Sequence, residues 1–566
     1  MNLWSTGFSM DATMRIFAGS QATRLRFKTL TTLSLFAASA ICVTGCMTGP
    51  KEYFRNGFKV GPNYRTPAAP VAESWVDIGD SRVISAPNEN WAWWTAFNDP
   101  VMSQLVVMAS NQNLTLREAG FRIMEARAIA AQSRGQLLPQ SQTASGGYSR
   151  QLLSEQIGFV GGGGGSGFPR EFSVWNGGSQ FNWELDFWGR FRRAIEAADA
   201  NLDSTVENYD DVMVILIADV AAAYVNVRTL EQRLRYARHN VETQSASLKL
   251  AEDRKNFGAG SQLDVAQALT NVAQTEATIP QFEADLRQAE NLLCTLMGFP
   301  PQDIKLLLSP TGEVTPIPGA PSEVVLGIPA ELVRRRPDVR RQERLVAQQS
   351  AMIGVAEADL YPAFSINGQI AVRASQFNDL FSAQAMTGNI GPSFNWNILN
   401  YGRIRNNVAA QEARYMQLVT TYQQTVLDAN REAEDAIVRF LQAQQQVLIL
   451  RKGVNAADQS AQLVNELYEG GQTDFGRVFV AELALVQQQD ALAVAEGTVA
   501  QSLVAINRAL GGGWQLRLQN PPPIVMTPTP SPPPVGEFVP GAGTNVAIEN
   551  KTAEIPAPVF DETLTN

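Results

Sequence analysis

Histidine is almost missing from this chain: His239 is the only one in 566 residues. A multi-histidine metal site is therefore excluded, and a Ser-His-Asp triad would have to rest on that one residue, which sits between Arg238 and Asn240 in a strongly helical stretch. Cysteine is nearly as scarce. Cys42 and Cys46 fall in the N-terminal leader and only Cys294 lies beyond it, which leaves neither a disulfide framework nor a cysteine metal cluster. Charged residues make up 18% and hydrophobic residues 45%, a globular composition that fits neither a disordered chain nor a polytopic helical membrane protein. The net charge is -10 and no basic run longer than the three arginines at 334–336 follows the first thirty residues, so nucleic acid would find no extended face for its phosphates. Gly-x-Ser-x-Gly, P-loop and metal-ligand spacings are also lacking, so nothing in the sequence speaks for an enzyme.

Long apolar runs are lacking as well. The run from Leu30 to Val43 follows Arg15, Arg24, Arg26 and Lys28 and is too short to span a bilayer, which reads as a secretory signal. It ends in Val43-Thr44-Gly45-Cys46, which resembles the bacterial lipobox. That resemblance implies cleavage before Cys46 and a covalent lipid on it, the one non-protein group expected, with no other cofactor and no metal. Met47, rather than Asp, follows, which by the same resemblance implies sorting to the outer membrane. Removing 1–45 takes away four basic residues and one acidic one, so the mature charge is -10 minus 3, or -13. Later on, the best apolar window, Val212 to Val225, is broken by Asp219, and no transmembrane helix is expected. A chain bound for the outer membrane without spanning helices is either tethered there or crosses as a β-barrel.

What is present is a duplication. Phe181-Asn182-Trp183 recurs as Phe394-Asn395-Trp396, an offset of 213, and an aromatic-Gly-Arg follows each, Trp188-Gly189-Arg190 and Tyr401-Gly402-Arg403. Leu138-Pro139 and Tyr361-Pro362 precede them, and Phe257 to Gly260 and Tyr468 to Gly471 come after. Each half reads helix, strand, strand, long helix, helix. The strands alternate: Phe364, Ile366, Ile370 and Val372 against Ser365, Asn367 and Gln369, and Phe394, Trp396 and Ile398 against Asn395 and Asn397. Period two with one greasy face fits a barrel strand between lipid and water, with Phe181, Trp183, Phe394 and Trp396 as an aromatic girdle and Gly161 to Gly165 in a flexible loop. A soluble sandwich would need more strands. Four strands cannot close a barrel, so copies of the chain must share one sheet.

The helices are too long for a globular core. Arg190 to Phe257 contains no Pro or Gly and would span roughly 100 Å. Its counterpart, Arg403 to Tyr468, has only Gly453, and Gln262 to Leu296 and Phe475 to Leu510 supply antiparallel partners. The organisation is a signal over 1–45 and an N-terminal lipid-anchored segment over 46–110. A first repeat covers 111–297, with strands near 138–150 and 172–185, and a Pro-rich connector covers 298–336. A second repeat covers 337–510, with strands near 363–374 and 389–399. The C-terminal segment, 511–566, ends in a Pro-rich tail read as disordered.

Several motifs are similar to those of the TolC/OprM-like outer membrane factors, NodT-type lipoproteins: Val60-Gly61-Pro62-Asn63-Tyr64-Arg65-Thr66-Pro67, Trp93 to Pro100, Arg334-Arg335-Arg336-Pro337-Asp338, Ala358 to Pro362, and Ala509 to Trp514. The resemblance runs from about Cys46 to about Trp514. It implies a homotrimer, mainly helical, with a twelve-stranded transmembrane β-barrel over a twelve-helix periplasmic tunnel. It further implies docking to a periplasmic adaptor and an inner-membrane RND-type pump, and passive export of drugs or other small molecules. The helical tips would form the closed end. There Asp474 and Arg477 are candidate gate residues, and Gly258, Gly260, Gly470 and Gly471 candidate adaptor-facing tips. Where the family carries a gate Asp and a Leu, this chain has Val480 and Gly476. A secretion channel of the same fold for proteins or polysaccharides, and a non-channel structural lipoprotein, are the rival expectations.

Overall fold

The computed structural model describes residues 48–86, 91–152, 171–309 and 315–519. The signal, Cys46, the Gly161 to Gly165 loop and the Pro-rich tail lie outside the described residues.

Two helices of equal length dominate: α4, Arg190–Asn256, and α10, Arg403–Glu469, each of 67 residues. Their first residues are 213 apart (403 minus 190) and so are their last (469 minus 256), the offset of the Phe-Asn-Trp repeat. Both start from a glycine at φ +82°, Gly189 and Gly402, a conformation that costs a residue with a Cβ far more. Ahead of them come α1 (Pro50–Arg55), β1 (Val83–Ser85), α2 (Pro100–Gln112), α3 (Leu114–Gly135), β2 (Ser141–Leu152) and β3 (Glu171–Leu185). Between them lie α5 (Gln262–Glu276), α6 (Thr278–Leu296), α7 (Lys305–Leu308), β4 (Val324–Leu326), α8 (Pro329–Arg335), α9 (Pro337–Ala358), β5 (Ala363–Ala374) and β6 (Met386–Asn395). The described residues end with α11 (Phe475–Ala509) and α12 (Leu516–Gln519).

The return helix of the first repeat is not continuous, as the sequence suggests, but breaks at Ala277. Pro280 is the cause: it has no N–H for the carbonyl of Glu276 and its ring crowds that turn. The matching α11 has no proline and runs unbroken.

The main core lies at mid-height. Ile217, Val220, Tyr224 and Val227 of α4 pack on Trp93, Trp94, Phe97, Met102 and Leu105, and on Ile437, Phe440, Leu503 and Ile506 of the second repeat. Around it β1 pairs in parallel with β4, which ties the N-terminal segment to the connector. By length and composition α4 and α11 are each apolar enough to cross a membrane; in α4 that stretch is 72% buried against protein.

β2, β3, β5 and β6 form one antiparallel sheet in that order, joining the repeats through β3 and β5. β6 ends at Asn395, so Trp396 and Ile398 lie beyond the ladder rather than within it. Among the described residues of the protomer, the outer edges of β2 and β6 carry no partner strand.

Candidate functional site: a two-faced sheet on a helical shaft

The register sorts the sheet. Leu185, Trp183, Phe181 and Trp175 share a face with Phe364, Ile366, Ile370 and Val372 and with Met386, Ile390, Pro392 and Phe394. The other face carries Ser141, Thr143, Asn182, Gln180, Asn367, Gln369, Asn389 and Ser393. Ile390 is 74% exposed, and Ile370, Met386 and Phe394 are exposed beside it. A contiguous apolar sheet face open to the surroundings needs lipid or another chain against it.

Aromatic rings bound that face at two levels. At the helix end Phe364 lies 5.5 Å from Phe187 and 6.4 Å from Phe394. At the far end Trp175 meets Tyr148 at 4.5 Å and Phe377 at 5.0 Å. Ten steps of β5 separate Phe364 from Ala374, the partner of Trp175, roughly 33 Å along a strand. At the ~40° tilt of membrane barrels this is about 25 Å, the height of an outer-membrane apolar band. Of the residues named as a girdle, Trp183, Phe394 and Trp396 stand at the helix end. Phe181 lies further into the sheet, its ring over Gly368, where an added Cβ would come within 2.1 Å of a ring carbon. Tyr148, Trp175 and Phe377 escaped the sequence reading because only strand register puts them at one level.

The motifs that carry the resemblance are joints. Arg193, buried, donates to the carbonyls of Val60 (3.0 Å) and Gly61 (2.8 Å) and to Asn63 Oδ1 (3.1 Å), fastening the N-terminal segment to α4. Gly61 meets Gly354 of α9 so closely that a Cβ would fall 2.4 Å from the Gly354 Cα. Asp99 caps α2 through the amides of Val101 and Met102 and accepts from Tyr224, which in turn accepts from Arg228. Arg336 grips Asp338 with two bonds and donates to Glu432 and to the carbonyl of Ala509. Tyr361 stacks on Trp188 at 4.4 Å, and burial raises its pKa to about 12.

At the opposite end the tips of the two repeats meet. The Arg254 guanidinium donates to the carbonyl of Tyr468 and lies 4.5 Å over its ring, and Tyr468 meets Phe475 edge-on at 5.4 Å. Ala251, Ala268 and Val478 complete this small core. Arg254 was not singled out by sequence, and Tyr468 only as a landmark of the repeat. Asp474 caps α11 by accepting from the amide of Arg477, and both side chains are exposed. Gly258 and Gly471 take positive φ, +76° and +71°, whereas Gly470 is at φ -72° and Gly260 is not left-handed. Two turns further in, the buried carboxylate of Glu482 accepts from Ser247 (2.7 Å), Asn271 (2.8 Å) and Asn465 (3.4 Å), joining four helices at one point.

Known proteins share this arrangement. The family described as outer membrane efflux protein matches residues 105–299 and 328–512. Nodulation protein T of Rhizobium leguminosarum bv. trifolii is 28% identical over 474 residues, covering 81% of this chain and 95% of that protein. The pyoverdine export outer membrane protein OpmQ of Pseudomonas aeruginosa is 30% identical over 430 residues, covering 75% of this chain and 87% of its own. Among solved structures, the outer-membrane channel OprN superposes with a TM-score of 0.71 at 31% identity, covering 80% of this chain and 99% of that one.

Proposed function

From the premise that this chain belongs to the outer membrane efflux protein family and serves as an outer-membrane efflux channel component, we propose that three copies close a twelve-stranded barrel above a twelve-helix periplasmic tunnel. The carrying observation is the sheet's register, which puts every large apolar side chain of β5 and β6 on one face and the amides and hydroxyls on the other. A four-stranded sheet with open edges cannot stand in hydrocarbon, since each unpaired backbone group there costs several kcal/mol. Pairing β2 of one copy with β6 of the next satisfies both edges, and three copies give twelve strands around water.

A lipid on Cys46 anchors the N-terminal segment that Arg193 holds to the shaft. The tips, with Gly258, Gly260, Gly470 and Gly471, face a periplasmic adaptor and an inner-membrane RND-type pump, and Asp474 and Arg477 contribute polar groups to the closed end. Transport is passive, with energy from the pump, and drugs or other small molecules leave the cell. OpmQ is named for pyoverdine export, which supports small-molecule cargo over protein or polysaccharide. The test is native mass spectrometry of the detergent-purified protein with conductance in planar bilayers. A conducting, lipidated trimer is expected; a monomer without conductance overturns the reading.

A further inference from the structure

The polar face of the sheet has a composition that its position alone does not require. Two adjacent cross-strand rows are built from amides: Asn182 pairs with Asn367, and Gln180 with Gln369, which pairs on with Asn389. Ser141 and Thr143 extend these rows on β2. Among the described residues of that face the ionisable side chains are Glu184 and Arg373. Glu184 lies at the helix end with Arg190 3.5 Å away, and Arg373 lies eight residues along β5 from the partner of Glu184 (373 minus 365). The wall between them, roughly 25 Å of strand, carries no charge. Over the amide rows runs a groove of about 550 Å³, within the size range of small-molecule sites.

Each carboxamide offers two donors and an acceptor in fixed geometry. A solute hydroxyl also donates and accepts, so a ladder of amides matches a chain of hydroxyls group for group. Beyond Glu184, at the helix end of the groove, an ionic solute would find no opposite charge on this wall to offset its lost hydration. We propose that this band is a subsite for uncharged, hydroxyl-rich solutes of oligosaccharide type, which dwell there on their way through. This rests on the reading that the polar face lines water.

The test uses the full-length protein in planar bilayers with maltohexaose as the probe. Millimolar maltohexaose is expected to interrupt the open current of the native channel. In the Gln369→Ala/Asn389→Ala variant the apparent affinity should fall about tenfold, the loss of one or two hydrogen bonds per visit. In the Gln369→Asp variant the reversal potential in a salt gradient should move toward cation preference, which places position 369 in the current path. A conducting native channel that maltohexaose leaves undisturbed, or equal interruption in the double variant, overturns the subsite. Absence of any conductance, or a Gln369→Asp reversal potential like that of the native channel, overturns the channel reading and the subsite with it.

Discussion

Trp183 and Trp396 make the same hydrogen bond in the two halves of the molecule. Each indole N–H donates at 3.0 Å to a carbonyl two residues ahead of a proline, Leu137 before Pro139 and Leu360 before Pro362. The two tryptophans are 213 residues apart and the two acceptors 223, so the first hairpin is the longer by ten residues. These bonds fix where the helix before each hairpin ends and where the sheet begins.

Replacing either Trp by Phe keeps the ring and removes the donor. Each change is expected to cost about 1 kcal/mol, with the two roughly additive because the sites share no partner. The check is the temperature at which the detergent-solubilised oligomer dissociates, with Trp→Phe at both positions lowering it most.

The two faces predict opposite tolerances at neighbouring positions. Ile390→Arg places a cation on the apolar face, at about 2–4 kcal/mol per copy near the bilayer midplane. Asn389→Arg places it on the polar face and should leave assembly intact. Outer-membrane abundance and heat-stable oligomer on gels distinguish the two; equal behaviour would contradict the assignment of faces.

Docking of the N-terminal segment depends on Arg193. Arg193→Met removes the donor from the Val60 carbonyl and Asn63 Oδ1, leaves the Gly61 carbonyl to Asn56 and Glu196 to Lys59, and is expected to cost about 3 kcal/mol. Limited proteolysis should then cut within residues 56–66 while the helical shaft stays resistant.

The same joint is expected to respond to acid. Burial pushes the Glu196 carboxyl up, but hydrogen bonds from Lys59 and Arg193 outweigh it and hold the group below its ordinary value of 4.5. A depressed carboxylate stabilises the folded state above its unfolded pKa, and that contribution is lost as pH falls through the lower folded value. Pepsin cleavage of the N-terminal segment should therefore rise as pH drops below about 4.5, and Glu196→Gln should flatten that dependence.

Glu482 is the polar knot of the shaft. Glu482→Leu strands the Asn271 amide, leaves Ser247 only the carbonyl of Thr243, and is expected to cost about 2–3 kcal/mol, whereas Glu482→Gln keeps most of the bonding and costs about 1 kcal/mol or less. Hydrogen exchange along α4 and α11 near the tips reads the difference.

The sequence by itself determined the elements and their duplication. Gly189 and Gly402 open the long helices because a start at φ +82° selects glycine, and the absence of Pro and Gly after Gly189 lets α4 run on. The alternation in β5 was equally legible, since a two-sided sheet imposes a period of two. Register was not. That Trp175 stands level with Ala374, that Phe181 covers Gly368, and that Asn367 and Gln369 line up with Asn182 and Gln180 depend on which residues of distant strands pair. The tip core of Arg254, Tyr468 and Phe475 and the four-helix bonding of Glu482 were hidden for the same reason. Each joins residues more than two hundred positions apart in at least one of its contacts, and no local pattern encodes such a distance. Composition and periodicity act between neighbours in sequence, so they set the parts; packing between the repeats decided which side chains meet.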